Sequence, residues 1–179
     1  MVSIVYGFFC IISTSYYFAV GNPTNIEIIC GGTVTDLEYS ITIVTTGYFI
    51  HDLLGLAYFN RLDKDSIFHH GIMIAVAIQL MRLDQGCNFW VGVIFIGELG
   101  LPFRDFRLIT RLMGLSYTKG YYFFEDMYFA LYFIGRGLIG FKLVWNILVC
   151  DKILLLLKIG GFPLYIRSIY FTYQMIQRI

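Results

Sequence analysis

Charged residues are scarce in this sequence. Asp, Glu, Lys and Arg together make up 14% of the 179 residues, whereas about a quarter is typical of a soluble domain. Mean hydropathy is +0.72, so the composition indicates a membrane protein. The net charge is only +1, so the chain lacks the basic excess of nucleic-acid-binding proteins and no nucleic-acid partner is predicted.

Closely spaced cysteines are also missing. The four cysteines are Cys10, Cys30, Cys87 and Cys150, and no two of them form a CxxC pair. This spacing gives no support to a zinc site or a thioredoxin-type redox motif, and neither a metal nor a cofactor is predicted. Cys30 and Cys87 would lie near the same membrane face, so an oxidising compartment would allow a disulfide between them.

No basic stretch precedes the first apolar run, which covers residues 2–20. That run is longer than the apolar region of a signal peptide, so we predict a retained helix rather than a cleaved leader.

Long apolar runs dominate the rest of the chain. A membrane-spanning helix needs ~20 mostly apolar residues, and six segments approach that length: 2–20, 39–59, 68–83, 88–103, 123–149 and 153–176. We therefore predict an all-α fold, a polytopic membrane bundle of about six transmembrane helices in one domain over residues 1–179. Within the sixth segment, Gly160, Gly161 and Pro163 predict a kink or a break.

Basic residues are distributed unevenly over the predicted loops. The face that carries the N-terminus receives most of them: Arg61, Lys64, Arg104, Arg107, Arg111, Lys119 and Arg178. By the positive-inside rule this face lies in the cytosol, or in the matrix if the membrane is mitochondrial. The pattern does not distinguish the endoplasmic reticulum from the mitochondrial inner membrane.

The few polar groups inside the apolar runs are expected to share the half of the membrane nearest that face. At ~1.5 Å per residue from the helix ends, His69 and His70 lie roughly 3–5 Å deep and Glu98 roughly 7 Å deep. Asp52 lies roughly 12 Å deep by the same count, too deep to contact the histidines. Arg136 comes out at a similar depth to Asp52.

An unpaired charge in the membrane is costly, at ~2.5–3.5 kcal/mol even on insertion scales. We therefore predict a structural intramembrane pair between Asp52 and Arg136. Gly135 and Gly137 flank the arginine and would let another helix approach it closely.

Three stretches resemble a known family. "GYFIHDLL" (47–54) is similar to a Gly-Tyr-aromatic-x-x-Asp helix, "FHHGIMIAVA" (68–77) to a tandem-His helix start, and "GELGLPFRDFRLI" (97–109) to a Glu-x-Ser/Thr-x-Pro-Phe stretch. In this order they resemble the TLC domain, which is shared by ceramide synthases, translocating-chain-associating membrane proteins and several lipid-related proteins. "VSIVYGFF" (2–9) resembles an earlier family helix, with Tyr6 where a His is common.

The resemblance also has gaps. Ceramide synthases add a His-Asp-x-x-Asp motif after the paired histidines, whereas the corresponding region here contains one acid, Glu98, and no His-Asp. Gly100 stands where the family has a hydroxyl residue, and Asp105 where it has Asn. From the position of the motifs along the chain, we expect a first family helix to be missing. These differences argue against amide-forming catalysis.

The paired histidines have two interpretations. As catalytic candidates, His69 or His70 would be a general base for attack on an acyl thioester, helped by Glu98 and Asp52. Consecutive helical residues point about 100° apart, so only one histidine should face a given cavity. The structural interpretation, which we favour, is a pair that caps its helix, with Glu98 as a buried hydrogen-bond partner of His70 or Tyr48.

Arg104, Arg107 and Arg111 have i, i+3, i+7 spacing and would share one helical face. Such a row at the bilayer surface suits lipid phosphates or those of coenzyme A. The simpler interpretation is ordinary positive-inside topology.

These observations favour a non-catalytic TLC-like membrane protein that binds lipid, or an accessory subunit that contacts other subunits of a larger membrane complex. A mitochondrial inner-membrane assembly is one such host. The alternative is a lipid-modifying acyltransferase related to ceramide synthases with a His-based site. A transporter would need a polar path through both leaflets, for which the half opposite the N-terminus offers few charges.

Overall fold

The computed structural model describes residues 2–20, 34–151 and 155–177, and these residues are almost entirely helical. In chain order the elements are α1 (Val2–Val20), α2 (Asp36–Tyr58), α3 (Lys64–Leu83), α4 (Cys87–Glu98), α5 (Leu101–Leu112), α6 (Lys119–Tyr132), a π-helical segment (Phe133–Ile139), α7 (Gly140–Val149) and α8 (Leu155–Ile176).

Polar caps set several helix starts. Thr35 and Glu38 form a reciprocal capping box at α2, in which each side chain bonds to the other's backbone N–H. Asp63 caps α3 by accepting from the Ser66 N–H at 2.6 Å. The cap places the start of α3 at Lys64, one turn earlier than the predicted start at residue 68.

Within the described ranges, four helical stretches are long and apolar enough to cross a membrane: Ser3–Val20, Asp36–Tyr58, Lys64–Leu83 and Lys119–Val149. The predicted all-α membrane bundle is thus confirmed. The fourth predicted segment, 88–103, differs from the structure because α4 ends at Glu98. Its 12 residues correspond to about 18 Å, which is shorter than the apolar core of a bilayer.

Helix α4 lies at the centre of the bundle. It contacts α1, α2, α3, α5, α7 and the π-helical segment. Phe89, Trp90, Val91 and Ile94 are all at most 2% exposed, as expected for a helix that is apolar on every side. Apolar side chains also cover the outer surface, among them Leu54, Leu138 and Val149, each more than 60% exposed. Such a surface fits lipid acyl chains.

One buried acid lies in the half of the bundle opposite the N-terminus, against the expectation that the ionisable groups share one half. Glu38 is 5% exposed and accepts a 2.5 Å hydrogen bond from the Tyr17 hydroxyl on α1. It also completes the capping box of α2. Its position is therefore explained by the start of α2 and by the α1–α2 contact.

Two further expectations need correction. Cys87 is a free, fully buried thiol, so it does not form the disulfide considered with Cys30, which lies outside the described residues. Its side chain points into the core from the first turn of α4. Helix α8 is not broken at Gly160, Gly161 and Pro163, because it continues from Leu155 to Ile176 with Pro163 inside it; the alternative, a kink, stays a prediction. A Cβ on Gly160 would lie 3.1 Å from Ile72 Cγ2, so this glycine permits close packing of α8 on α3.

Candidate functional site

A cavity of about 460 Å³ lies between α3, α4, the π-helical segment, α7 and α8. One end is lined by polar groups, including His69, His70, Glu98 and Arg136. The other end is apolar and is lined by α4 and α7 side chains, namely Val93, Leu143, Val144 and Ile147. The cavity is therefore amphipathic along its length.

A smaller cavity of about 150 Å³ lies beside the polar end and shares His69, His70, Glu98 and Arg136 as wall residues. Asp52 lines this smaller cavity. The structure thus brings together the four catalytic candidates and Arg136, which come from three helices and the π-helical segment.

The end of α4 places Glu98 at the cavity. After Glu98, Leu99 and Gly100 form the junction to α5, and Pro102 occupies the first turn of that helix, where its missing N–H costs nothing. A Cβ on Gly100 would lie 3.1 Å from the Tyr128 ring, so the glycine permits the ring to pack on the junction.

Glu98 is 6% exposed. Its Oε2 atom is buried without a hydrogen-bond partner among the described residues. The predicted bonds to His70 or Tyr48 do not form, although all three residues line the smaller cavity. A buried carboxyl oxygen without a partner is unusual in a protein interior, and here it borders open space.

Asp52 and His70 are in contact, which corrects the expectation that their depths differ. Nε2 of His70 lies 3.6 Å from Oδ2 of Asp52. Because α3 begins at Lys64, His70 lies six residues from the start of its helix, and Asp52 lies six residues from the end of α2 at Tyr58. The two residues therefore reach the same depth, roughly 9 Å from the helix ends.

Both histidines line both cavities, whereas only one was expected to face a given cavity. Their ring centroids lie 5.4 Å apart, and the space extends around the α3 surface that carries them. His70 Nδ1 is buried without a hydrogen-bond partner in the described part of the chain.

Asp52 and Arg136 do not form the direct pair that the sequence predicted. The Arg136 guanidinium instead donates to the Gly97 carbonyl at 2.8 Å and to Ser168 Oγ at 3.3 Å, and it lies 4.8 Å above the Tyr132 ring. The π-helical segment, in which the Gly140 N–H bonds to the Gly135 carbonyl five residues earlier, directs Arg136 toward α4 and α8. π-Helical turns are frequent at functional sites.

The two glycines beside Arg136 have different surroundings. A Cβ on Gly135 would lie 3.3 Å from the Ile96 carbonyl of α4, whereas a Cβ on Gly137 would meet only Phe133 of its own segment. The predicted close approach of a neighbouring helix is therefore present at Gly135.

The predicted arginine row lies on α5, and two of its members are already paired. Arg104 contacts the buried Asp105 at 3.0 Å, and Arg107 contacts Glu125 of α6 at 2.9 Å. Arg111 is exposed in the last turn. Arg104 also lines both cavities, so the row divides between the cavity and the surface.

Helix α8 and the start of α3 also contribute to the cavity, which no pattern in the sequence predicted. Arg167 of α8 pairs with Asp65 at 2.9 Å, and both line the larger cavity beside Asp63. The hydrogen bond from the Ser66 N–H lowers the pKa of Asp63. No local motif marks Arg167 or Ser168, because their role depends on how α8 packs against α3 and the π-helical segment.

A protein-family model described as "TRAM_LAG1_CLN8: TLC domain" matches residues 1–177. The chain belongs to the TLC-domain family. No solved structure matches it. The three motif stretches of this TLC-domain protein meet at the two cavities, through Asp52, the paired histidines and Glu98. Membership also supports the assignment as an integral membrane protein.

Proposed function

We propose that the protein binds one amphiphilic lipid molecule in the larger cavity and catalyses no reaction on it. The observation that carries this proposal is the amphipathic lining, with ionisable groups at one end and aliphatic side chains at the other. The volume, about 460 Å³, falls within the ~300–1,000 Å³ range of ligand sites.

The two ends suit the two parts of a lipid. Arg136 and His69 can bond to a polar headgroup, because both line the cavity with ring or guanidinium nitrogens. From Arg136 to Ile147 the wall extends over eleven residues, roughly 15 Å at the rise of a helix. An acyl chain would lie along this wall beside Val93 and Val144.

The test fills the apolar end and measures bound lipid. The full chain is purified in a mild detergent, and co-purifying lipid is extracted and quantified by mass spectrometry. We expect about one lipid per protein in the wild type and a severalfold loss in Val144→Trp. The matched control is Val149→Trp on the same helix, where the side chain is 61% exposed and bound lipid should be unchanged. Equal occupancy in all three proteins would contradict the proposal.

The Asp52–His70 contact supports a second candidate function, acyl transfer. A carboxylate beside an imidazole is the arrangement of a general base and the group that orients it. In this alternative His70 would accept the proton of an amine or hydroxyl that attacks an acyl thioester. The absence of the His-Asp-x-x-Asp motif from the sequence makes lipid binding without catalysis the preferred proposal.

Lipid binding is compatible with a role as an accessory subunit of a membrane complex, for which the lost acidic motif and Tyr6 are the support. Solubilisation of native membranes followed by native electrophoresis would test this role. Migration with fixed partners in constant ratio is the expected result, and migration as a lone 20.7 kDa chain in a lipid-detergent particle would oppose it. The organelle that supplies the complex would also identify the membrane.

A further inference from the structure

Arg136 is a cation without an acidic partner in the middle of a membrane-spanning stretch, Lys119–Val149. In the part of the chain that the structure describes, no carboxylate oxygen lies within 4.0 Å of its guanidinium. Charged side chains in such positions normally pair or mark a functional site. Glu98 lines the same cavities as Arg136 but does not contact it, so the guanidinium is left without a directly bound anion among the described residues.

The neighbouring arginines show the contrast. Arg104 is paired with Asp105, Arg107 with Glu125 and Arg167 with Asp65, at 2.9–3.0 Å. Of these four arginines, Arg136 is the one that contacts no carboxylate of the described residues.

The surroundings of Arg136 fix its direction and leave donors free. Nη2 bonds to the Gly97 carbonyl, Nη1 bonds to Ser168 Oγ, and the guanidinium lies over the Tyr132 ring. A guanidinium has five N–H donors, and these contacts use two. Because Arg136 lines both cavities, the remaining donors border open space.

We propose that the polar group bound by Arg136 is an oxyanion, a carboxylate or a phosphate, and that the ligand is therefore an acidic amphiphile. This inference rests on the proposed lipid binding and specifies its headgroup. Guanidinium groups bind carboxylate and phosphate through paired hydrogen bonds. Gly97 and Ser168 hold the guanidinium in advance, which lowers the entropy lost on binding.

Glu98 is the acid that would oppose such a ligand, since it lines the same cavity. Among the described residues it forms no ion pair with Arg136 within 4.0 Å, and its Oε2 atom has no hydrogen-bond partner there. Asp52 is turned toward His70. Neither Glu98 nor Asp52 is paired with Arg136, so a headgroup could bind Arg136 without displacing either carboxylate.

The experiment is a competition assay on the full chain in neutral detergent, after removal of bound lipid. A fluorescent fatty-acid analogue is displaced by oleate, lysophosphatidate, oleyl alcohol or monoolein. We expect the two anions to displace the probe at concentrations about tenfold lower than the two neutral lipids, the gain of a charge-assisted hydrogen-bond pair. The order of oleate and lysophosphatidate distinguishes a carboxylate source from a phosphate source.

Variants assign the preference to one residue. Arg136→Gln should abolish the preference for anions, and Arg136→Lys should retain part of it. The control is Arg82→Gln, which removes an exposed arginine at the far end of α3 and should keep the wild-type order. Glu98→Gln, which removes the opposing acid, should raise the affinity for the two anions.

The outcomes separate the inference from the proposed function. Three results would overturn the anionic headgroup while leaving lipid binding in place. They are equal displacement by anionic and neutral lipids, a preference for anions that survives in Arg136→Gln, and an anion affinity that does not rise in Glu98→Gln. Failure of the fatty-acid probe to bind the wild type would overturn lipid binding itself. If Arg136→Gln does not fold, the inference is tested by the order in which the four lipids displace the probe from the wild type and by the anion affinity of Glu98→Gln.

Discussion

Nε2 of His70 on α3 lies 3.6 Å from Oδ2 of Asp52 on α2. This contact joins the two arms of a helical hairpin at equal distances from its loop, and it places the pair at the edge of the smaller cavity. The separation exceeds that of a hydrogen bond, so the contact is a charge interaction whenever His70 is protonated.

The first prediction concerns catalysis at this pair. Purified protein given a long-chain acyl thioester and a long-chain amine should form no more amide than His70→Ala does, because the chain lacks the acidic motif that ceramide synthases add. Product is measured by mass spectrometry on preparations that retain lipid. Amide formation by the wild type that is lost in both His70→Ala and Asp52→Asn would establish the acyltransferase alternative.

The second prediction concerns the two glycines that flank Arg136. Gly135→Leu should lower the free energy of unfolding by roughly 1–3 kcal/mol, the usual cost of overpacking, because a Cβ there lies 3.3 Å from the Ile96 carbonyl. Gly137→Leu is the matched control, because its Cβ meets no neighbouring element within 4 Å. Thermal unfolding in the same detergent compares the two. Equal melting temperatures would show that α4 does not pack tightly on Gly135.

The third prediction concerns the arginine row of α5, which we propose as a contact for lipid phosphates. Added anionic lipid should stabilise the wild type more than Arg111→Gln, by about 1 kcal/mol, the typical contribution of one basic residue at an anionic surface. Arg107→Gln should show a smaller deficit, since Arg107 is paired with Glu125. A larger deficit for Arg107→Gln than for Arg111→Gln would contradict this division.

The fourth prediction concerns pH and the helix cap at Asp63. The hydrogen bond from the Ser66 N–H lowers the pKa of Asp63 below 3.8 in the folded chain. Its contribution to stability is therefore complete above that value and is lost as the pH falls through the lower, folded-state pKa. At pH 6 the melting temperature of the wild type should be higher than that of Asp63→Ala. This difference in melting temperature should shrink as the solution is acidified toward pH 2. A difference independent of pH would exclude a charged cap.

Local sequence was sufficient for the helices whose ends coincide with a change in polarity. The prediction of 2–20 agrees with α1, and the prediction of 39–59 differs from α2 by three residues at the start and one at the end. Hydropathy alone placed the start of α3 too late, because Lys64 and Asp65 are polar although they belong to the helix. The spacing of Asp63 and Ser66 contained the missing information as an N-cap pattern.

The junction after Glu98 is different. The apolar run continues past Leu99, and the local signal is Pro102, which predicts that a helix bends or ends nearby but does not place that end at Glu98. The Tyr128 ring packs where a Gly100 side chain would stand, and that contact comes from α6. The junction therefore accommodates a residue 28 positions away from Gly100 along the chain.

The sequence by itself determined that this protein is a helical membrane bundle of the TLC-domain family and which residues are its interior polar groups. Both conclusions depend on properties of short stretches of sequence, namely hydropathy over about 20 residues and the spacing of motif residues. The tertiary structure alone decided that Asp52 meets His70, that Arg136 meets Gly97 and Ser168, and that the space between them is amphipathic. Partner choice depends on how each helix is rotated about its axis, and a helix takes its rotation from the neighbours against which it packs.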